Sequence, residues 1–89
     1  MKICFLSGLK DVTGREELEI EYEGKLSDLL AMLCKRYGSE LFRLVMNPEK
    51  PEERNPFLKI LVDSQDIRRE NPELTGTETI FLFLPIAGG

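Results

Sequence analysis

A chain of 89 residues, 42% of them apolar and 31% charged, has the balance of a globular protein, and its length suffices for one expected domain, residues 1–89. Its net charge of −4 repels a nucleic-acid backbone and favours a basic protein surface as partner. Histidine is absent, which removes Ser-His and Cys-His nucleophiles, so the chain is not expected to be an enzyme by itself.

Lys2 to Leu6 is a short apolar run with Ile3 and Phe5 on one face and Cys4 and Leu6 on the other, which suits a central strand. Cys4 and Cys34 stand at no metal-ligand spacing, and each reads as a small apolar residue; no metal site is expected. Ser7 to Gly14 carries turn residues at both ends and reads as an ordered loop, with Val12 as its anchor. Glu17 to Glu23 then alternates, predicting a strand with Leu18, Ile20 and Tyr22 inward and four glutamates outward. That acidic row steers a basic partner or, more simply, is a solvated face that discourages edge pairing.

From Leu26 the period changes to that of a helix. Leu26, Leu29, Leu30, Leu33 and Tyr37 form one stripe, Cys34 lies on its border, and Gly38 follows as a terminating glycine. The stripe is expected to cover the sheet, since otherwise neither element buries its apolar face. Ser39 to Val45 reads as a short helical turn closing the core through Leu41, Leu44 and Val45. Asn47 to Pro56, with three prolines and no apolar side chain, reads as a mobile surface loop. Phe57 to Val62 is a third strand, Asp63 to Asp66 a turn, and Ile67 to Arg69 a short fourth segment. Asn71 to Thr77 turns the chain into the final strand, Thr79 to Leu84, which is apolar on both faces and belongs in mid-sheet. If Ile80, Leu82 and Leu84 pack toward the helix, Phe81 and Phe83 face the other side. There they form a docking patch or pack against Cys4, Leu6 and Leu61.

The most distinctive stretch is the last five residues. Pro85 cannot donate to a sheet ladder, so it should end the strand and release Ile86, Ala87, Gly88 and Gly89 into solvent. With glycine usage near roughly 7%, two final glycines arise by chance in about 0.5% of chains, so chance is a poor account of them. Lacking a Cβ, Gly88 and Gly89 admit a close-fitting partner backbone, and the Gly89 carboxylate becomes the candidate site. No apolar run approaches the ~20 residues of a membrane helix, and the first residues lack a leader's pattern. A cytoplasmic protein without membrane contact is expected.

The order strand, strand, helix, strand, short strand, strand, with a diglycine leaving the last, resembles the ubiquitin-like β-grasp: an α+β fold with a mixed sheet of four to five strands packed on one main helix. Within that fold the chain is most similar to the small subunit of molybdopterin synthase and related sulfur carriers. The similarity is carried by Leu9-Lys10-Asp11-Val12-Thr13-Gly14, Leu26-Ser27-Asp28-Leu29-Leu30, Ile60-Leu61-Val62 with Asp66-Ile67, and Phe83-Leu84-Pro85-Ile86-Ala87-Gly88-Gly89. The family commonly has Asn-Gly where this chain has Asp63-Ser64, Gly-Asp-Glu where it has Gly76-Thr77-Glu78, and two prolines at Leu84-Pro85.

The resemblance implies that a ubiquitin-activating-type enzyme adenylates Gly89 with ATP and that a persulfide-bearing donor supplies sulfur, leaving a thiocarboxylate. In molybdopterin synthase the large subunit receives such a tail and supplies the catalytic residues, and the sulfur passes to a pterin precursor of the molybdenum or tungsten cofactor. Gly89 would carry the adenylate and then the sulfur, Gly88 would thread a narrow channel, Pro85, Ile86 and Ala87 would set the path, and Phe83 and Phe81 would dock. No cofactor is held permanently on this reading. Carriers for thiamine or thiolated RNA share the architecture, a lysine could attack the same activated glycine to give a protein modifier, and an interaction module with an unactivated tail is the reading of a different class.

Overall fold

The computed structural model describes residues 1–6 and 8–85. Ten elements follow in chain order: β1 (Lys2–Phe5), α1 (Gly8–Thr13), β2 (Glu17–Glu19), β3 (Gly24–Lys25), α2 (Leu26–Tyr37), α3 (Ser39–Val45), β4 (Lys59–Val62), β5 (Gln65–Asp66), β6 (Glu73–Leu74) and β7 (Thr79–Phe83). Five strands form one sheet in the order β2-β1-β7-β4-β5, and β3 pairs with β6 in a separate ladder. The sheet is mixed, because β1 and β7 run parallel in the register Ile3↔Ile80 and Phe5↔Leu82, whereas β2, β4 and β5 join antiparallel.

One face of this sheet meets the helices. Ile3, Phe5, Leu18, Ile60, Ile80 and Leu82 are buried there against the leucine stripe of α2, in which Leu26, Leu29, Leu30 and Leu33 are all buried. Cys34 is half-buried, as a stripe border should be. Phe5 meets Tyr37 edge-on, with ring centroids 5.9 Å apart and planes at 79°. Leu41 and Val45 of α3 complete the core, and Leu44 packs at its margin.

The start of α2 is capped from a distant part of the chain. Lys25 offers no side-chain cap, and the orphan donors of the first turn go elsewhere: the Leu26 N–H donates to the Pro72 carbonyl at 3.0 Å and the Ser27 N–H to Asn71 Oδ1 at 2.8 Å. Asn71 Nδ2 donates in turn to Ser27 Oγ at 3.0 Å. Asn71→Ala should therefore cost about 1 kcal/mol, the usual worth of a helix cap, as read by urea denaturation. An unchanged midpoint would show that this cap contributes nothing. At the other end Gly38, at φ 88°, donates its N–H to Cys34 O at 2.8 Å and allows α3 to begin at once.

Several boundaries differ from the sequence reading. The expected loop at 7–14 contains the helix α1, whose Leu9 is fully buried while Val12 packs on the core as its second anchor. The strand expected over Glu17–Glu23 stops at Glu19. Its ladder with β1 pairs Lys2 with Glu19, and reciprocal bonds between Met1 and Ile20 at 3.0 and 3.1 Å follow. Tyr22, expected inward, is half-buried and donates its hydroxyl to the Lys25 carbonyl at 2.7 Å. The third strand begins at Lys59 instead of Phe57. The segment placed at Ile67–Arg69 lies two residues earlier, as β5. Asp63 and Ser64, at φ 50° and 72°, make a two-residue turn that pairs Val62 with Gln65 immediately. The β6 strand has no counterpart in the sequence reading. The 47–56 segment is a surface loop as expected, closed by a bridge between Met46 and Arg54 and by the Asn47 N–H donating to Glu53 O at 2.8 Å.

Candidate functional site

The root of the candidate tail is β7, and composition explains its place. Ile80 and Leu82 are fully buried on the helix side, while Phe81 and Phe83 are half-buried on the other, so only a central position covers both faces. Ladders to β1 and β4 hold the strand through Phe83, and Leu84 packs at the core margin. Pro85 is exposed. The strand ends before Pro85, which has no N–H to continue a ladder. The last residues described thus leave one end of the most firmly held strand of the sheet.

On the open face, Cys4, Phe81 and Leu61 stand side by side in register across β1, β7 and β4, and Phe83 stands opposite Lys59. Leu6 adds an exposed apolar side chain at the end of β1. The arrangement for which packing was the alternative to docking is therefore realised at Phe81, which has apolar neighbours on both strands. Phe83 has a charged one. Both keep part of their surface in water. A hollow of about 260 Å³ opens beside Phe81, lined also by Cys4, Leu6, Lys10, Glu16 and Glu17. Ion pairs stand on either side of the strip, Lys2 with Glu17 at 3.7 Å and Lys59 with Asp66 at 3.4 Å. Exposed pairs of this kind contribute little to stability, and their value here is to frame an apolar surface with fixed charge.

The two thiols are poorly suited to nucleophilic work. Burial pushes the Cys4 thiol up, the nearby Glu17 charge pushes it further, and Lys2 opposes both only in part. Burial alone raises Cys34. Both are thus held as thiols near neutral pH, in keeping with their reading as small apolar residues.

A larger hollow, about 570 Å³, lies between the 47–56 loop and the β4–β5 hairpin, where Arg54, Lys59, Arg68 and Arg69 face Glu52, Glu53 and Asp66. Arg54 Nη2 donates to the Glu70 carbonyl at 2.6 Å, so its guanidinium staples one loop to another, at a burial that lowers its proton affinity. Asp66 is also shifted down, by a different cause: the Arg68 backbone N–H, followed by Lys59, holds its carboxyl below the usual range against the opposing effect of desolvation. The mixed signs give this hollow no single field. Among the described residues, no group of three or more His, Cys, Asp or Glu side chains is placed to hold a metal ion.

Of the residues singled out in the sequence, Phe81, Phe83 and Pro85 are thus placed on the open face and at the end of β7. Ile86, Ala87, Gly88 and Gly89 lie outside the described residues. Sequence reasoning missed Glu78, whose carboxylate is buried beneath the turn leading into β7. Its only signal is the run Thr75-Gly76-Thr77 just before it, a set of small residues whose backbone N–H groups can converge on one acceptor.

This architecture, a mixed five-stranded sheet with the main helix across one face, is the ubiquitin-like β-grasp. The chain belongs to the ThiS family, whose pattern it matches over residues 3–89. Among solved structures it is similar to the small archaeal modifier protein 1 of Methanosarcina acetivorans, at 21% identity and TM-score 0.79, covering 99% of this chain and 94% of that one. It is similar also to a chain of the BexX/CysO complex of Amycolatopsis orientalis, at 18% identity and TM-score 0.75, covering 99% and 98%. A third likeness is to the putative molybdopterin converting factor, subunit 1, of Pyrococcus furiosus, at 18% identity and TM-score 0.63, covering 96% and 95%. No curated protein matches the sequence. The ubiquitin-like sulfur-carrier class is therefore the protein's own, and among the described residues no helix is long and apolar enough to cross a membrane.

Proposed function

We propose that this chain is the sulfur-donating small subunit of a molybdopterin synthase, with Gly89 as the reacting residue. The observation that carries the reading is the family match running through to residue 89, so that Gly88 and Gly89 belong to the matched pattern and follow an anchored central strand after only Leu84-Pro85-Ile86-Ala87.

The chemistry requires activation because a carboxylate resists nucleophiles at neutral pH. A Gly89 carboxylate oxygen attacks the α-phosphorus of ATP on a ubiquitin-activating-type enzyme, and pyrophosphate leaves. The terminal sulfur of a persulfide donor then attacks the acyl carbon and expels AMP. A thiol attacks the donor-side sulfur of the resulting acyl disulfide, releasing the Gly89 thiocarboxylate and leaving a disulfide on the donor. The large subunit of the synthase receives the tail and catalyses sulfur transfer to the pterin precursor. This chain contributes the reagent, the extended path Pro85-Ile86-Ala87-Gly88, and a docking face in which Phe83 and Phe81 supply apolar contact. Its setting on this reading is the cytoplasm.

The test is intact mass after incubation with an activating enzyme, ATP, and a persulfide donor with a reducing thiol. Replacement of one oxygen by sulfur, about 16 mass units, is expected in the full chain and not in a chain lacking Gly89. No gain in the full chain with an enzyme shown to thiolate another carrier would overturn the proposal. The likeness to an archaeal modifier protein favours one second reading, in which a lysine amine attacks the adenylate and forms an isopeptide bond. In that case tryptic digests of cell extract carry, on target lysines, a branched remnant made of the segment that follows Arg69. A pure sulfur carrier is recovered unconjugated.

A further inference from the structure

Phe57 is the most exposed large apolar side chain among the described residues, with 73% of its surface in water. A single exposed aromatic is ordinary on a protein surface. Its support and its address are not.

Asn55 holds the backbone on which Phe57 stands. The Asn55 N–H donates to the Val45 carbonyl at 2.8 Å and Nδ2 to the Leu44 carbonyl at 2.9 Å, fixing the segment to the end of α3. Asn55 Oδ1 accepts from the Phe57 N–H at 2.9 Å, and its carbonyl accepts from the Leu58 N–H at 3.0 Å. Pro56 between them has φ fixed by its ring. The aromatic ring is therefore presented on a backbone already ordered, so little backbone entropy remains to be lost when a partner covers it.

The address comes from strand register. Lys59 pairs with Phe83, Phe57 lies two residues before Lys59, and Pro85 lies two residues after Phe83. Both are at the same end of the sheet, each within about 7 Å of that pair along the chain. Four residues separate Pro85 from the reacting carboxyl and reach at most ~14 Å when extended. An enzyme that adenylates Gly89 must bring its walls to the surface around Pro85. It must also keep water from the acyl adenylate, which hydrolysis would waste. An apolar seal at the root of the tail meets that need, and Phe57 is the exposed apolar side chain standing there.

We infer that Phe57 is an anchor for the adenylating enzyme, seated in an apolar pocket at the mouth of the cleft that takes the tail. The inference rests on the activation of Gly89 proposed above. It adds a contact level with Pro85, beyond the end of the β4–β7 ladder that the Lys59 and Phe83 pair closes.

The experiment measures binding of the full chain to a purified ubiquitin-activating-type adenylating enzyme by calorimetry, for the native protein, Phe57→Ser, Phe57→Leu, and Met32→Ser as a control on α2, together with pyrophosphate release. Phe57→Ser should weaken binding about 10- to 30-fold, the effect of truncating an aromatic anchor, with its thermal midpoint unchanged. Phe57→Leu should recover part of the loss, and Met32→Ser should bind like the native chain. The same loss is expected when Gly88 and Gly89 are deleted from both members of the pair, because the anchor acts apart from the tail. Binding by Phe57→Ser within twofold of native overturns the inference while pyrophosphate release by the native chain leaves Gly89 activation standing. Native binding without pyrophosphate release overturns activation instead, and absence of native binding overturns both.

Discussion

Replacing Gly88 by valine should leave the thermal midpoint of the domain within a degree or two of native and reduce adenylation of Gly89 by at least a hundredfold. The first half of this expectation comes from where the fold is held. β7 is secured by its ladders through Phe83, and among the described residues the last side chain on the core is Leu84, at its margin. Residue 88 lies beyond both. The second half comes from access. A cleft that admits a chain terminus and positions its carboxyl for in-line attack on phosphorus must surround the last peptide closely, and a misplacement of 1 Å can cost about 100-fold in rate. A branched Cβ brings two methyl groups where glycine has a hydrogen, and it also narrows the backbone angles open to residue 88. Pyrophosphate release under saturating ATP measures the step directly. Gly88→Ala should fall between the two, since it adds one methyl group and keeps χ1 out of the question. If Gly88→Val were adenylated at the native rate, the steric account of the diglycine would fail, and the pair would need a reason other than close fit. This test is independent of Phe57, whose loss should act on affinity for the enzyme more than on the chemistry at Gly89.

What could be read from the sequence depended on whether an element carries its own period. Helix α2 has four buried leucines at i, i+3, i+4 and i+7 and a glycine at its end, so both its span and its face were legible. Strand β7, apolar on both faces, identified itself as central for the same reason. α1 failed to announce itself because its six residues begin with Gly8 and are followed by Gly14, and its helical state comes from burying Leu9 in the core beside β1, β7 and α3 and not from propensity. β6 and β3 are two residues each and about 48 positions apart in the chain, too short for a period and visible only once the fold brings Gly24 opposite Leu74. The early end of β2 was hidden for a different reason. The alternation continues to Glu23, but a strand needs a neighbour, and among the described residues the ladder with β1 pairs nothing with Glu21 to Glu23. At the candidate site the order is reversed. The residue types of the Gly88-Gly89 tail stand in the sequence, as does the alternative that Phe81 packs against Cys4 and Leu61; that both of these flank it, and that Phe57 stands exposed at the same end as Pro85, are facts of register.

Glu78→Ala should lower stability by about 1–3 kcal/mol in urea denaturation. The side chain is buried beneath the turn that launches β7, and three donors converge on it. Oε2 accepts from the Thr75 N–H at 2.8 Å and the Thr75 hydroxyl at 3.2 Å, and Oε1 accepts from the Gly76 N–H at 2.9 Å. Removing the acceptor leaves two backbone donors, on exposed Thr75 and half-buried Gly76, without their partner, each at a cost toward the low end of about 1–3 kcal/mol because water recovers part of it. Glu78→Gln should cost less, because one amide oxygen can keep part of the set. The same contacts determine the pH response. Burial pushes the carboxyl up, but the bonds from Thr75, from its own backbone N–H and from Gly76 outweigh it, and the net displacement is downward from the ordinary glutamate value. A carboxyl whose folded value lies below its unfolded one stabilises the protein at pH values above the unfolded value, near ~4.3. That contribution declines as pH falls through the interval between the two and is gone below the folded value. Native protein should therefore lose stability on acidification from pH 5 toward pH 3 more steeply than Glu78→Gln, and the two stability curves should converge at the acid end. Parallel curves would mean that Glu78 does not titrate with folding, and the turn would then owe its shape to Gly76, at φ 104° against the Tyr22 carbonyl, rather than to the carboxylate. Since this turn sets the entry of β7, the outcome also decides how rigidly the strand carrying the tail is held at the end remote from Pro85.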